Sequence, residues 1–585
     1  MLNPRAWAGV GCAAGAAYFQ ADALAERSAV LNSVLRAGRA VRCVGGIALD
    51  YQRCAEQRLA PPHQRSAERL LALCRRNRGC YIKFAQHAAQ LDFLLPPAYA
   101  ATLRPMLAEC PQSTAAQARR VIAQELGAPV DELFDAFEDE PIASASLAQV
   151  HVARERGTGR KLAVKVQHEG LDKTSDADVW LVQQLTAALA SHFPEWGERY
   201  RWIGEELAPK LPLELDFRLE AANANRCAAH LGAARNGIGG GGGGGAASSV
   251  CVPRLLPSLS SKRVLTMTFE DGVSVADGEA IEAMGLRRGA VAALLSETFC
   301  RLVFEFGDVH ADPHPANVLV RRGAGGAPQL VLLDHGLYQA LSDDFRLDYA
   351  RLWRAIVFAD VEEIERRCQK LNAGAMYPLL AAMLTARPWD DISSPDLESL
   401  RQQPAAAATG QQAATAAAAA AAAVTAGGAS ASASAEEQPP LSDEDQARIG
   451  QYAAEYAGEI TKMLGRVPRQ MLLLFKVNDC LRHADRQLGA PVNTFLITAR
   501  ACTAAIAAAE AAERAKAAPA SWASALRTRF TSAWAMLMLE LRILLVRVAS
   551  AVEQLGSEQA RRQAEQRRQQ RLAAHEAHLQ SLIER

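Results

Sequence analysis

His310-Ala-Asp312-Pro-His314-Pro-Ala-Asn317-Val-Leu-Val320 runs through Arg321-Arg-Gly-Ala-Gly-Gly-Ala-Pro328 into Gln329-Leu-Val-Leu-Leu-Asp334-His-Gly336. The apolar stretches at 318–320 and 330–333 flank a segment rich in glycine and ending in proline, which reads as two strands joined by a turn. Two acids and an asparagine are therefore linked through one hairpin. A histidine metal site using His310, Asp312 and His314 is the competing reading. Histidines at i and i+4 share a face only on a helix, and Pro313 and Pro315 work against a helix here.

The spacing favours phosphoryl transfer instead. A phosphoryl-transfer loop sets an aspartate five residues before an asparagine, the first to orient the attacking group and the second to hold Mg²⁺. Asp312 and Asn317 have that spacing, and Asp334 begins an Asp-x-Gly whose aspartate would bind Mg²⁺. Upstream, Gln149-Val-His-Val-Ala153 and Lys161-Leu-Ala-Val-Lys-Val-Gln167 surround a Gly-Thr-Gly turn and read as a second hairpin. Alternation places Leu162, Val164 and Val166 on one face and Lys165 with Ala163 on the other. A strand-borne lysine of this kind pairs the α/β-phosphates of ATP. No Gly-x-Gly-x-x-Gly precedes it; the small-residue loop Pro141-Ile-Ala143-Ser144-Ala145-Ser146 stands in its place and would let backbone amides approach phosphates. Ala311 occupies the position of the arginine in His-Arg-Asp.

The rest of the chain sets bounds on these motifs. With 585 residues and half of them hydrophobic, it has material for about four domains at ~150 residues each. Lys+Arg and Asp+Glu both number 64, so no global basic field exists to hold nucleic acid, and none is expected as a partner. The 12 cysteines are scattered without a Cys-x-x-Cys pair, the usage of free thiols in a reducing compartment. Residues 1–24 carry no acid before Asp22, and Arg5, Arg27, Arg36, Arg39 and Arg42 accompany them, as in an organelle presequence or short anchor.

Residues 25–135 read as a helical extension, with Pro111-Gln-Ser-Thr114 as a cap region. Residues 136–390 hold the motifs, interrupted by a glycine-rich insertion at 232–249, and 391–442 form an alanine- and serine-rich insertion. Leu213 to His230 and Arg287 to Phe306 read as helices, and Val250 to Leu255 and Arg263 to Phe269 as strands. Everything from the end of the 318–333 hairpin to about Pro388 reads as helix. Helices resume over 443–518, and an amphipathic helix and charged tail occupy 519–585.

Ala145-Ser-Leu-Ala-Gln-Val-His151, the 310–320 loop and Leu333-Asp-His-Gly-Leu-Tyr-Gln339 together resemble the UbiB-type, aarF-domain-containing atypical kinases. His335 inside the Asp-x-Gly points to a mitochondrial subgroup. Asp343-Asp-Phe-Arg-Leu, Leu384-Thr-Ala-Arg and Val467-Pro-Arg-Gln-Met-Leu-Leu also match, so the resemblance covers roughly residues 25–515. It implies a two-lobed, protein-kinase-like α/β fold with an N-terminal helical extension and C-terminal helices. It also implies ATP and Mg²⁺ as cofactors and ATPase-like or small-molecule chemistry rather than ordinary protein phosphorylation. Lipid or quinone homeostasis in a mitochondrion, or alternatively a chloroplast, with peripheral membrane association, is the implied setting. The family's Lys-x-Gly-Gln falls on Lys83-Phe-Ala85-Gln86, with alanine for the glycine, and its Glu-x-Asp on Glu214-Leu-Asp216. Lys83, Gln86, Glu214 and Asp216 would gate the site, and Glu220 would orient Lys165. A catalytically silent nucleotide-binding scaffold is the rival reading.

Overall fold

The computed structural model describes residues 29–192 apart from 58, 60–61, 90–95, 108–109 and 111. It also describes 211–233, 249–385, 466–517 apart from 490–491 and 493, and the single positions 389, 392, 534, 537 and 541. The expected presequence and the seven-glycine run lie outside the described residues. So do the alanine-rich insertion and the C-terminal tail, but for single positions.

The strands are β1 (Phe134–Phe137), β2 (Ala143–Ser144), β3 (Ala148–Glu155), β4 (Lys161–Gln167), β5 (Val250–Cys251), β6 (Val264–Thr268), β7 (Val273–Ser274), β8 (Asp308–His310), β9 (Val318–Arg322), β10 (Pro328–Leu332) and β11 (Tyr338–Ala340). Two compact units contain them. One comprises the described residues of Met1–Asn223 and Pro253–Phe269; the other comprises those of Ala224–Val252, Glu270–Val424 and Ala435–Arg585.

The first unit is built on an antiparallel sheet ordered β1-β3-β4-β6, with β2 added to β3. Leu162, Val164 and Val166 of β4 are fully buried against Val121, Ile122 and Phe134, so the period-2 alternation of the sequence is the alternation of the sheet. Gly157 and Gly159 turn the β3–β4 connection with φ of 77° and 64°, a region costly for a side chain. The helix Ala115–Leu126 begins at Thr114, whose hydroxyl accepts from the Gln117 N–H while the Gln117 side chain accepts from the Thr114 N–H, a reciprocal capping box.

The helices Ala29–Glu56, His63–Asn77, Cys80–Ala89 and Pro97–Leu103 gather around Leu73, Tyr81, Ile82, Ala85 and Leu103. The Ala85 methyl is one of the groups filling that core. Arg36 ties Ala29–Glu56 to the helix Leu171–His192 by donating Nε to Asp178 Oδ1 at 3.1 Å, with a second bond to Oδ2. Burial pushes the Asp178 carboxyl up, and the guanidinium opposes it. A separate cluster joins Cys80 to Leu147, Leu171, Leu211 and Leu215. The expected boundary at 135 therefore falls inside this unit: the extension and the sheet bury apolar side chains against each other.

In the second unit the helix Arg288–Phe304 buries Val291, Leu295, Phe299 and Leu302 with Val318 and Val320 of β9 and Leu330 and Leu332 of β10. Its sheet runs β5-β10-β9-β7, and β8 pairs with β11 apart from it. Thr494–Ala517 contains a window, Thr494–Glu513, long and apolar enough to cross a membrane by length and composition. Ala499, Cys502 and Ile506 are buried, and the helix packs on Asp343–Phe358 and Arg288–Phe304.

Three sequence expectations change. The strand expected over 250–255 is only Val250–Cys251, because Pro253 has no N–H to continue a ladder, and Leu255 makes one isolated bridge to Met267. The segment after the 318–333 hairpin is not wholly helical: Tyr338–Ala340 pairs with Asp308–His310 before the helix Asp343–Phe358 starts. The helix expected from 213 to 230 is two, Leu211–Glu214 and Phe217–Ala233, separated where the Asp216 carboxylate accepts from the Arg218 N–H at 3.0 Å.

Candidate active site

Lys165 stands on the half-buried face of β4, and its Nζ donates to Glu220 Oε1 at 2.7 Å. Glu220 lies in the first turn of Phe217–Ala233 and is 4% exposed. A carboxylate so withdrawn from water is held by a partner that is itself charged. Phe217, one turn earlier, lies under the ammonium at 5.3 Å and packs on Ala148, Leu265 and Met267, fixing the helix to the sheet.

The small-residue segment differs from the expected loop. Ala143 and Ser144 are paired strand, opposite Val150 and Gln149, and only Ala145–Leu147 makes the turn, closed by the Ala145 N–H on Ala148 O at 2.7 Å. Alternating small side chains tolerate the ladder, and Leu147 anchors the turn in the cluster with Cys80 and Leu215. The Ser146 side chain is buried, whereas Ala143 and Ala145 are exposed. His168 donates Nε2 to Ala145 O at 3.0 Å, with the Ser113 hydroxyl on its Nδ1. The orientation of the tip is thus set by side chains outside the motif.

Of the four residues expected to gate, the structure pairs two. Lys83 Nζ lies 2.5 Å from Glu214 Oε2. Gln86, one turn along, donates to Met106 O at 2.9 Å, and Asp216 is engaged with the neighbouring Arg218 in a bidentate pair. That pair holds the Asp216 carboxyl below the usual carboxylate range.

In the second unit, His310 organises the loop. Its Nδ1 accepts from the Asp312 N–H at 3.2 Å, so Nε2 carries the proton and donates to Asp334 O at 2.8 Å. Burial is the main cause holding this imidazole below its ordinary pKa. Both ring nitrogens are committed to backbone, which argues against ligation by His310. His314 caps the 3-10 turn Pro315–Asn317, accepting from the Ala316 N–H through Nδ1 at 3.2 Å. The Leu333 N–H donates to Asn317 O at 3.0 Å, joining the loop to the Asp-x-Gly segment. Asp334 Oδ1 accepts from the Gly336 N–H at 2.9 Å, and a Cβ on Gly336 would stand 3.2 Å from that oxygen. The next residue, His335, is buried and donates Nε2 to Leu332 O at 3.1 Å, with the Tyr338 hydroxyl on Nδ1. Asp312, Asn317 and Asp334 all remain partly open to solvent.

The donors fit Mg²⁺ rather than zinc. Asp334 and Asn317 offer hard oxygens, and no group of three or more His, Cys, Asp or Glu gathers among the described residues. Magnesium keeps several waters and takes one or two carboxylates plus phosphate oxygens, whereas a structural zinc needs four nitrogen or sulfur ligands.

One contact was not foreseen. Lys476 Nζ, from the helix Arg469–Gln487, lies 3.2 Å from Asp312 Oδ1. The sequence signal was a lone lysine after Met471-Leu-Leu-Leu-Phe475, some 160 positions from the loop that it meets. The eleven described cysteines are free thiols.

The family model of the ABC1 atypical kinase-like domain matches residues 105–368. The chain is 36% identical to AarF domain-containing protein kinase 1 of Gallus gallus over 81% of this chain and 83% of that one. It is 34% identical to the protein of that name in Mus musculus over 94% and 95%. AarF domain-containing kinase 1 of Drosophila melanogaster is 32% identical over 75% of each. With relatives so similar along most of their length, and with the strand lysine, the Asp312–Asn317 loop and the Asp-x-Gly segment in the family's order, this chain belongs to the ABC1/AarF atypical kinase family.

Proposed function

We propose that the chain binds ATP with Mg²⁺ and uses it in phosphoryl transfer or ATP hydrolysis, directed at a lipid or quinone-pathway substrate rather than at a general protein substrate. Lys165, oriented by Glu220, would hold the α/β-phosphates. The backbone of Ala143, Ser144, Ala145 and Ser146 would cover them. Asn317 and Asp334 would hold Mg²⁺, which when bound neutralises charge on the phosphate oxygens. Asp312 would position the attacking hydroxyl or water and accept its proton. Lys83 and Glu214, with Gln86 and Asp216 nearby in the sequence motifs, would control access. The observation that carries the reading is the Lys165–Glu220 ion pair at 2.7 Å: a pair so withdrawn from water costs desolvation and is weakly explained by stability, and a lysine held to receive phosphate accounts for it.

Mitochondrial location, with the chloroplast as alternative, and peripheral membrane association follow from the family resemblance and belong to the same proposal.

The test is thermal stability with and without Mg²⁺-ATP in the parent and in Asp334→Asn. At ~100 times its Kd a ligand bound only by the folded form adds about 2.7 kcal/mol. A Mg²⁺-dependent shift that disappears in the variant supports the site. A well-folded parent without a shift, in which Lys83→Ala also shows none, overturns it. Phosphate release on top of the shift separates an enzyme from a silent nucleotide-binding scaffold.

A further inference from the structure

We infer that Lys476 is a positioning residue for Asp312, supplying from a distant helix the cation that the catalytic loop itself lacks. The inference rests on the phosphoryl-transfer reading above. In a His-Arg-Asp loop an arginine precedes the aspartate. Here that position is Ala311, a buried methyl. The other loop side chain with basic character, His314, uses Nδ1 to accept from Ala316, and burial holds its pKa below the ordinary value. Neither gives Asp312 a fixed positive neighbour.

Lys476 does. Its Nζ stands 3.2 Å from Asp312 Oδ1, with the lysine side chain 22% and the aspartate side chain 31% exposed. Two opposite charges at that separation and partial burial attract far more strongly than a surface pair. The lysine is also well anchored at its base. Met471, Leu474 and Val477 of the same helix are all but inaccessible, so the helix cannot rotate without opening the core. One turn beyond Lys476, Cys480 feels both the lysine and the aspartate, and burial pushes its thiol up to about 12. His483, the next turn on, is close enough to act on His314. Lys476 is thus where the helix meets the carboxylate of the loop.

The consequence concerns orientation. An aspartate that must face an attacking hydroxyl has two side-chain torsions, and an ion pair on one oxygen restricts both. Pre-set geometry of this kind acts on the chemical step more than on nucleotide affinity.

The experiment uses the full chain as Lys476→Met, Lys476→Arg, Asp312→Asn and the Met/Asn double variant. Phosphate release gives kcat and KM for Mg²⁺-ATP, the Mg²⁺-ATP thermal shift reports binding separately, and urea unfolding of all four measures the Lys476–Asp312 coupling. Expected is a fall in kcat of roughly ten-fold or more in Lys476→Met with KM and the thermal shift unchanged. Lys476→Arg should recover most of the rate, and the lysine variant should add little to Asp312→Asn. A Lys476→Met enzyme with parental kcat overturns the inference, as does a rise in KM at constant kcat, which would make Lys476 a nucleotide contact. A parent with no Mg²⁺-ATP shift overturns the functional reading instead. Coupling in urea would then mark the pair as purely structural.

Discussion

Lys83 Nζ lies 2.5 Å from Glu214 Oε2, tying the helix Cys80–Ala89 to the helix Leu211–Glu214 through side chains that are 21% and 10% exposed. Removing the lysine leaves the carboxylate withdrawn from water without its counter-charge. Lys83→Ala should cost about 1–3 kcal/mol in urea unfolding, and Lys83→Met with Glu214→Gln should cost less than Lys83→Ala alone. On the proposed gating role, the same variant should raise nucleotide affinity, read by titrating Mg²⁺-ATP against thermal stability. Unchanged stability and affinity would make the pair incidental.

The Lys165–Glu220 pair sits deeper. Lys165→Ala should destabilise the protein by about 3 kcal/mol, because Glu220 is nearly inaccessible and the break strands its charge. Lys165→Met with Glu220→Leu should recover part of that loss while leaving no nucleotide-dependent thermal shift. A double variant that still responds to Mg²⁺-ATP would refute the assignment of Lys165 to the phosphates.

Gly336 donates to Asp334 and has no room for a methyl near that oxygen, which would stand 3.2 Å away. Gly336→Ala should therefore move Asp334 by a few tenths of an ångström. The expected result is a Mg²⁺ requirement shifted to higher concentration, roughly ten-fold, with modest loss of stability. An unaltered Mg²⁺ titration would show that Asp334 is not a ligand.

Asp485 gives a pH-dependent prediction. It is buried, its Oδ1 has no hydrogen-bond partner among the described residues, and burial raises its pKa to about 6. An unfolded aspartate ionises near 4, so between about pH 4 and pH 6 the unfolded chain holds fewer protons and stability falls as pH rises. Asp485→Asn should remove that slope and stabilise the protein by about 2 kcal/mol at pH 7.5, with little change near pH 4. Urea midpoints across pH would reveal it, and parallel curves for parent and variant would contradict it.

Thr114 closes a reciprocal cap with Gln117 at the start of Ala115–Leu126. Thr114→Ala should cost about 1 kcal/mol, and Thr114→Ser little. Amide exchange confined to the first turn of that helix would locate the effect; equal protection in both variants would count against it.

Much of this architecture was legible because its signals are local. Alternation in Leu162-Ala-Val-Lys-Val166 sets the face on which Lys165 stands, and the turn chemistry of Arg321–Pro328 sets the β9–β10 hairpin. The spacing of Asp312 and Asn317 is a property of six consecutive residues. Less legible were β8 and β11, three residues each, too short to carry a period of their own and defined by their pairing with each other.

The sequence by itself determined the order and spacing of the motifs and the family. Each depends on residue type and spacing along the chain, quantities that folding does not alter. Only the tertiary structure decided that Lys83 meets Glu214, that His310 is committed to the backbone of Asp312 and Asp334, and that Lys476 faces Asp312. Those partners are separated by up to 164 positions. Their meeting is set by helix packing, chiefly burial of Cys80 with Leu215 in one unit and of Met471, Leu474 and Val477 in the other. Apolar packing is non-directional and summed over many residues, so no short stretch of sequence encodes which charges it will bring together.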